Sequence, residues 1–330
     1  MTNHDPAWSR REFLRLAGVA GSAAVALGAV GWWRHDPLGP GAPAAAAASF
    51  SYPDYRVPGS TGLLSVITGN DRAACARKAI EALGGISTFI RPGDRVLLKV
   101  NAAFALPPIL CATTHPDLLS AVVSMCLDAG AREVRVTDNP INDPASCFRL
   151  TGIAAAAEAA GATVLLPHQR TFRPLTVTGA HLLRNWPALA EPFDGITKVI
   201  GLSPVKDHHR AGASLSLKNW YGLLGGRRNI FHQDINTIVC ELGQMIRPTL
   251  VILDGVQSMM SNGPTGGSVA DLKPTQTLIA STDLVAADAL AVALLGRTPS
   301  SLPYLALAQS AGLGTVDAES LKPRRAEAGA

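Results

Sequence analysis

From Leu63 onward the chain alternates short apolar runs with amphipathic or Ala-rich segments, and the change of period marks the elements. Runs of four to six apolar or β-branched residues predict strands at Leu63–Thr68, Arg95–Val100, Glu133–Thr137, Thr163–Leu166, Lys198–Leu202, Thr249–Leu253 and Gln276–Ser281. Between them lie predicted helices. The first is capped by Asp71 and runs to Leu83, where Gly84-Gly85 ends it. Pro116–Ala129 begins with proline in its first turn and ends at Gly130. Ala154–Ala160, Asp234–Met245 and Leu284–Leu295 follow, with a helix-like run over Ala213–Leu224. Phe172–Asp194 is the least regular stretch, with a candidate edge strand at Leu175–Thr178, and the tail from Lys322 reads as loose. Apolar strands alternating with helices imply an α/β fold: a mostly parallel sheet with helices on both faces, one compact unit from about Leu63 to Leu313.

The first 48 residues follow different rules. Ser9-Arg10-Arg11-Glu12-Phe13-Leu14 reads as a twin-arginine export signal, followed by a weakly apolar Ala/Gly-rich segment, Leu16–Trp33. An Ala-rich linker offers small residues for cleavage near Ala46–Ala48. The expected division is therefore 1–48, signal peptide and linker, and 49–330, the α/β domain. The partner implied is the twin-arginine translocation machinery, and the destination is the periplasm or cell exterior. Without cleavage, the same segment would be the protein's one membrane attachment.

Composition changes this picture little. A net charge of +4 over 330 residues, with no basic stripe or interleaved aromatics, gives no footing for nucleic acid. The five cysteines are widely spaced and form no C-x-x-C, so no iron–sulfur cluster is expected; Cys75 and Cys126 read as packed thiols.

The polar clusters carry the candidate chemistry. In a parallel sheet, ligands bind beyond the carboxyl ends of the strands, and the clusters follow predicted strands: Lys99 and Asn101; Thr113-Thr114-His115 before the next helix; Asp138-Asn139; Lys206 to His209; Asp254; Ser281-Thr282-Asp283. Lys99, Lys206 and Lys218 are candidates to hold phosphate or carboxylate as point charges, or, if desolvated, to act as base or nucleophile. His115 and His208 are candidates for proton transfer, or with Asp138 and Asp254 for metal ligation through nitrogen and oxygen. Asn101, Thr114 and Asn219 are candidate ligand contacts. The Asn262-Gly263-Pro264-Thr265-Gly266-Gly267 loop, neither a Walker loop nor G-x-G-x-x-G, offers backbone N–H groups to an anion or serves as a flexible connector. No G-x-S-x-G and no H-E-x-x-H occurs.

Six segments together resemble the family known as domain of unknown function 362: LLKVN at Leu97–Asn101, ATTHPDLLSAVV at Ala112–Val123, VTDNP at Val136–Pro140, SPVKDHHRAGASLSLKNWYGLLG from Ser203, ILDGVQSMMSNGPTGG at Ile252–Gly267 and STDLVAADALAVALLG at Ser281–Gly296. Some members carry a ferredoxin-like iron–sulfur module, whose cysteines this chain lacks. The resemblance implies a location for the site and no reaction. A looser likeness runs to the lactate racemase group, where a T-x-P-type motif and His/Lys residues serve a nickel cofactor. Two functions stay open: an exported enzyme whose rim site takes a small anionic molecule or cofactor, with or without a metal ion, and a non-catalytic accessory protein of an exported redox complex.

Overall fold

The computed structural model describes residues 50–329; the export segment expected in residues 1–48 lies outside them. The fold is α/β, built on a large mixed sheet that is mostly parallel, with eight α-helices among the described residues. The strands are β1 (Leu64–Thr68), β2 (Arg95–Lys99), β3 (Glu133–Thr137), β4 (Thr163–Leu165), β5 (Phe172–Leu175), β6 (Trp186–Leu189), β7 (Lys198–His208), β8 (Gly212–Ser214), β9 (Leu250–Met259), β10 (Leu272–Ser281) and β11 (Arg324–Glu327). The main sheet runs β11-β1-β10-β9-β7-β2-β3-β4, with β8 folded back on β7 and β5–β6 a separate hairpin. β9, β7, β2, β3 and β4 are mutually parallel, and β10 is antiparallel to both its neighbours.

Alternation along the strands divides the core in two. Val96, Leu98, Val134, Val136, Ile200 and Leu202 face α1 (Arg72–Ala82), α2 (Pro116–Asp128), α3 (Pro144–Leu150) and α4 (Ile153–Ala159). Leu97, Val199, Val251, Leu253 and Ile279 face α5 (Ser216–Asn219), α6 (Ile235–Met245), α7 (Leu284–Leu294) and α8 (Pro303–Ser310). α1 begins where the Asp71 carboxylate accepts from the Ala73 and Ala74 amides. α2 begins at His115, whose Nδ1 accepts from the Asp117 amide, with Pro116 at its first position.

Four expectations need correction. β7 does not stop at Leu202; it continues to His208, because β8 pairs with its far end in the register Lys206↔Ser214 and His208↔Gly212. The run Ala213–Leu224 is no single helix: Gly212–Ser214 is strand, α5 is one turn, and Trp220–Leu223 tightens into a 3₁₀ turn. The tail from Lys322 is not loose, since β11 pairs in parallel with β1 through Ser65↔Arg324 to Thr68↔Glu327. Finally, Ser281-Thr282-Asp283 does not join the other clusters. β10 runs against β9 with Ser281 opposite Val251, which puts its carboxyl end on the other edge of the sheet.

Candidate functional site

The carboxyl edge at β2, β3 and β7 opens into a cavity of about 590 Å³ whose lining includes Lys99, Asn101, Phe104, Asp138, Lys206, His208, Lys218, Asn219, Tyr221, Arg228 and His232. That volume suits a small organic molecule. Local geometry explains the convergence. Lys99 ends β2 and Asp138 follows β3, two adjacent parallel strands. Lys206 and His208 are two apart on β7 and share a face, while Asp207 between them turns away to Arg297 (2.6 Å) and the Gly263 amide (3.1 Å). α5 comes close to the sheet at Gly201, where an added Cβ would stand 2.9 Å from Cζ2 of the Trp220 indole.

The three lysines are buried but not equivalent. Lys99 Nζ sits 2.8 Å from Asp138 Oδ1 and donates to the carbonyls of Val100 (2.8 Å) and Asn219 (2.6 Å) and to Asn219 Oδ1 (3.0 Å). Burial lowers its pKa, and Asp138 opposes that shift. Lys206 Nζ donates to the Ala112 carbonyl at 2.5 Å and lies 5.3 Å from the Phe104 ring centroid. Lys218 Nζ lies 5.1 Å from the Tyr221 ring centroid and, unlike Lys99 and Lys206, makes no side-chain hydrogen bond among the described residues. Burial, reinforced by Lys218 and Lys99, brings Lys206 down to about 7. Burial, reinforced by Arg228 and Lys99, brings Lys218 to about 7 as well. The Asp138 carboxylate is committed elsewhere: Oδ1 to Lys99 and the Asn139 amide, Oδ2 to the Ala102 amide at 2.6 Å. The cavity thus has cations in excess, without a carboxylate for either Lys206 or Lys218.

His208 is held in a defined tautomer. Its Nδ1 accepts from the Arg210 and Ala211 amides, each at 3.2 Å, so the neutral ring carries its proton on Nε2. Burial first, then the charge of Lys218, hold its pKa far below the ordinary histidine value. Its ring stacks between those of His209 (5.1 Å) and His232 (5.7 Å). His208 is therefore an N–H donor in this state.

Other candidates fall outside the cavity. His115 and Asp254 sit with Arg72, whose Nε is 2.7 Å from Asp254 Oδ2; His115 is drawn below its usual pKa by burial and then by Arg72. The four residues proposed as metal ligands do not form one donor set. His115 caps α2, Asp254 pairs with Arg72, Asp138 pairs with Lys99, and His208 uses its lone pair on backbone amides. Among the described residues no group of three or more His, Cys, Asp or Glu side chains is placed to hold a metal ion. Thr114 is a clamp: its Oγ1 accepts from the Asn101 amide and donates to the Leu202 carbonyl.

In the glycine-rich loop, Pro264 and Thr265 line the cavity. The Gly263 amide donates to Asp207 and the Gly266 amide to the Asn262 carbonyl, so neither is offered to an anion. Asn262 Nδ2 binds Asp271, Gly266 covers Met259, and nothing lies within 4 Å of a Cβ built on Gly267.

Sequence reasoning missed Phe104, Tyr221, Arg228 and His232. Arg228 donates to the carbonyls of Tyr221, Leu224, Asn139 and Pro140, tying the α5 side of the cavity to the loop after β3. One of two adjacent arginines in a polar loop gives no sequence signal of such a bridge. Asn219 stood beside Lys218 and was legible; it accepts from Lys99 and Asn101 and donates to the Leu202 carbonyl.

Fold and cavity together define an α/β protein with a cation-lined chamber at the carboxyl edge of its sheet. The chain belongs to the family described as domain of unknown function (DUF362), whose model matches residues 96–293. A thylakoid-associated protein of Synechocystis sp. is 26% identical over 254 residues, covering 74% of this chain and 77% of that one. Among solved structures, the lactate racemase apoprotein of Thermoanaerobacterium thermosaccharolyticum aligns with a TM-score of 0.38 at 10% identity, covering 74% of this chain. The chain spans 58% of the length of that structure.

Proposed function

We propose that the protein is an enzyme that binds a small organic anion in this chamber and exchanges protons with it through Lys206 and Lys218. The observation that carries the reading is that both amines are buried against the chamber while its carboxylate is engaged by Lys99. A buried cation without a counterion is costly. A carboxylate or phosphate entering the chamber would supply a counterion to Lys206 and favour its protonated form, leaving the Lys218 amine free. With both amines near neutrality, one is available as acid while the other is available as base. We also read residues 1–48 as directing export by the twin-arginine route, which places this chemistry outside the cytoplasm.

Calorimetric titration of the full chain with inorganic phosphate and with acetate tests the binding. Because an anion raises the pKa of the lysine it pairs with, binding at about pH 7.5 takes up protons, and the apparent enthalpy then varies with the ionisation enthalpy of the buffer. Lys206→Met should weaken binding by about tenfold or more. Binding with no proton uptake, or unaffected by that substitution, refutes the reading. A non-catalytic accessory protein differs at one point: binding and proton uptake would persist, with no turnover of any bound acid.

A further inference from the structure

The three lysines of the chamber differ in what already holds them, and the difference singles out one. Lys99 Nζ is surrounded by Asp138, two carbonyls and Asn219 Oδ1, leaving no direction open for a reacting atom. Lys206 Nζ is tied to the Ala112 carbonyl at 2.5 Å. Lys218 is buried, lines the chamber, and makes no side-chain hydrogen bond among the described residues. It rests on the face of Tyr221. Its position is also fixed from behind. The one-turn helix that carries it starts where Asp288 accepts from the Ser216 amide (2.8 Å), the Ser216 hydroxyl (2.5 Å) and the Leu217 amide (3.1 Å). An amine on a rigid support, free of acceptors and facing a partly closed chamber, has the setting of a nucleophile.

We propose that Lys218 forms an imine with the carbonyl group of a small 2-oxo acid bound in the chamber. The proposal rests on the anion-binding reading above, since the acid's carboxylate is what the excess of cations would hold. Lys206 and the Nε2–H of His208 are the groups left to receive it. In the step itself the Nζ lone pair bonds to the carbonyl carbon and the carbon–oxygen double bond opens. The oxygen then leaves as water with both amine protons, and no oxidant or reductant is needed. Two features favour the neutral amine that this step requires: burial, and the neighbouring charges of Arg228 and Lys99, which together bring Lys218 to about 7. Lys99 is held by its ion pair and three acceptors, Lys206 is drawn toward the Ala112 carbonyl, and His208 has no primary amine to form an imine.

The test is reductive trapping. The full chain is incubated at about pH 7.5 with pyruvate, or with phenylpyruvate to use the Phe104 and Tyr221 walls, and sodium cyanoborohydride is added. Intact mass should rise by the mass of the acid less one oxygen, and peptide mapping should place the addition on Lys218. Lys218→Arg keeps the charge and cannot form the imine, so it should lose the adduct yet still bind inorganic phosphate. Low labelling spread evenly over surface lysines, or an adduct at Lys218 no faster than at those lysines, overturns the proposal. So does a major adduct at Lys206 that survives in the Lys218→Arg variant. Phosphate binding without trapping defeats the imine and leaves the anion site standing; no phosphate binding defeats the anion site first.

Discussion

Two uncompensated amines in one chamber must oppose folding near neutral pH, and that opposition has a definite sign. Lys206 and Lys218 are each brought from 10.5 to about 7 in the folded protein. A shift of about 3.5 units at about 1.36 kcal/mol each corresponds to roughly 5 kcal/mol per lysine taken alone. Part of the Lys206 shift is the charge of Lys218, so the two together amount to less than twice that. The folded state binds fewer protons than the unfolded one between pH 7 and 10.5, so stability rises with pH across that window and is lowest below pH 7. The carboxyl and thiol groups do not mask this slope. Asp288, raised to about 7 by burial, loses its stabilising effect as pH rises toward 7 and is flat above. The buried thiols Cys111 and Cys126, raised to about 11 and about 12 by burial, begin to count against folding only near pH 9. Between about pH 7 and 8.5, each lysine should therefore add up to about 2 kcal/mol of stability. Lys206→Met removes the charge at the loss of its bond to Ala112, worth about 1.5–3 kcal/mol. The net at pH 7 should be a gain of about 2 kcal/mol, a rise of about 5 °C in Tm. Urea and thermal unfolding of the full chain at three pH values, wild type beside Lys206→Met, would measure this. A wild-type stability flat from pH 7 to 8.5, together with a variant less stable at every pH, would refute the picture of buried, unpaired amines.

Three further outcomes follow from local geometry. Gly222→Ala would push a methyl into Asp138 and to 2.6 Å from Lys99 Nζ, so it should destabilise by about 3–5 kcal/mol, as loss of a buried ion pair does; chemical denaturation reads this, and a change below about 1 kcal/mol would mean the pair moves freely. Glu241→Ala removes the acceptor for the amides of His181, Leu182 and Leu183, so the loop between β5 and β6 should lose hydrogen-exchange protection, with a cost of roughly 1–3 kcal/mol; unchanged exchange there would contradict it. Replacing Arg10 and Arg11 by lysine should leave precursor in the cytoplasm, and normal export of that variant from a strain lacking the twin-arginine pathway would refute the targeting.

The alternation of apolar runs and amphipathic segments was enough to set the α/β class and the two helix layers. Val96, Leu98, Val134 and Val136 could face only one layer while Leu97 faced the other, since period two is a local property of each strand. It also marked where polar residues leave parallel strands, so Lys99, Asn101, Asp138, Lys206, His208, Lys218 and Asn219 were legible as neighbours of the sheet edge. Strand direction was not legible. Leu272–Ser281 has the composition of a strand whichever way it runs, and only pairing against β9 and β1 sent Ser281-Thr282-Asp283 to the far edge. Nor did the sequence separate His115 and Asp254 from the chamber; Arg72, on another element, draws Asp254 to itself. Which lysine is paired and which is bare depends on groups far along the chain. Asp138 meets Lys99 and Ala112 meets Lys206 only after the strands align, because electrostatic partners are chosen by distance in space and not in sequence.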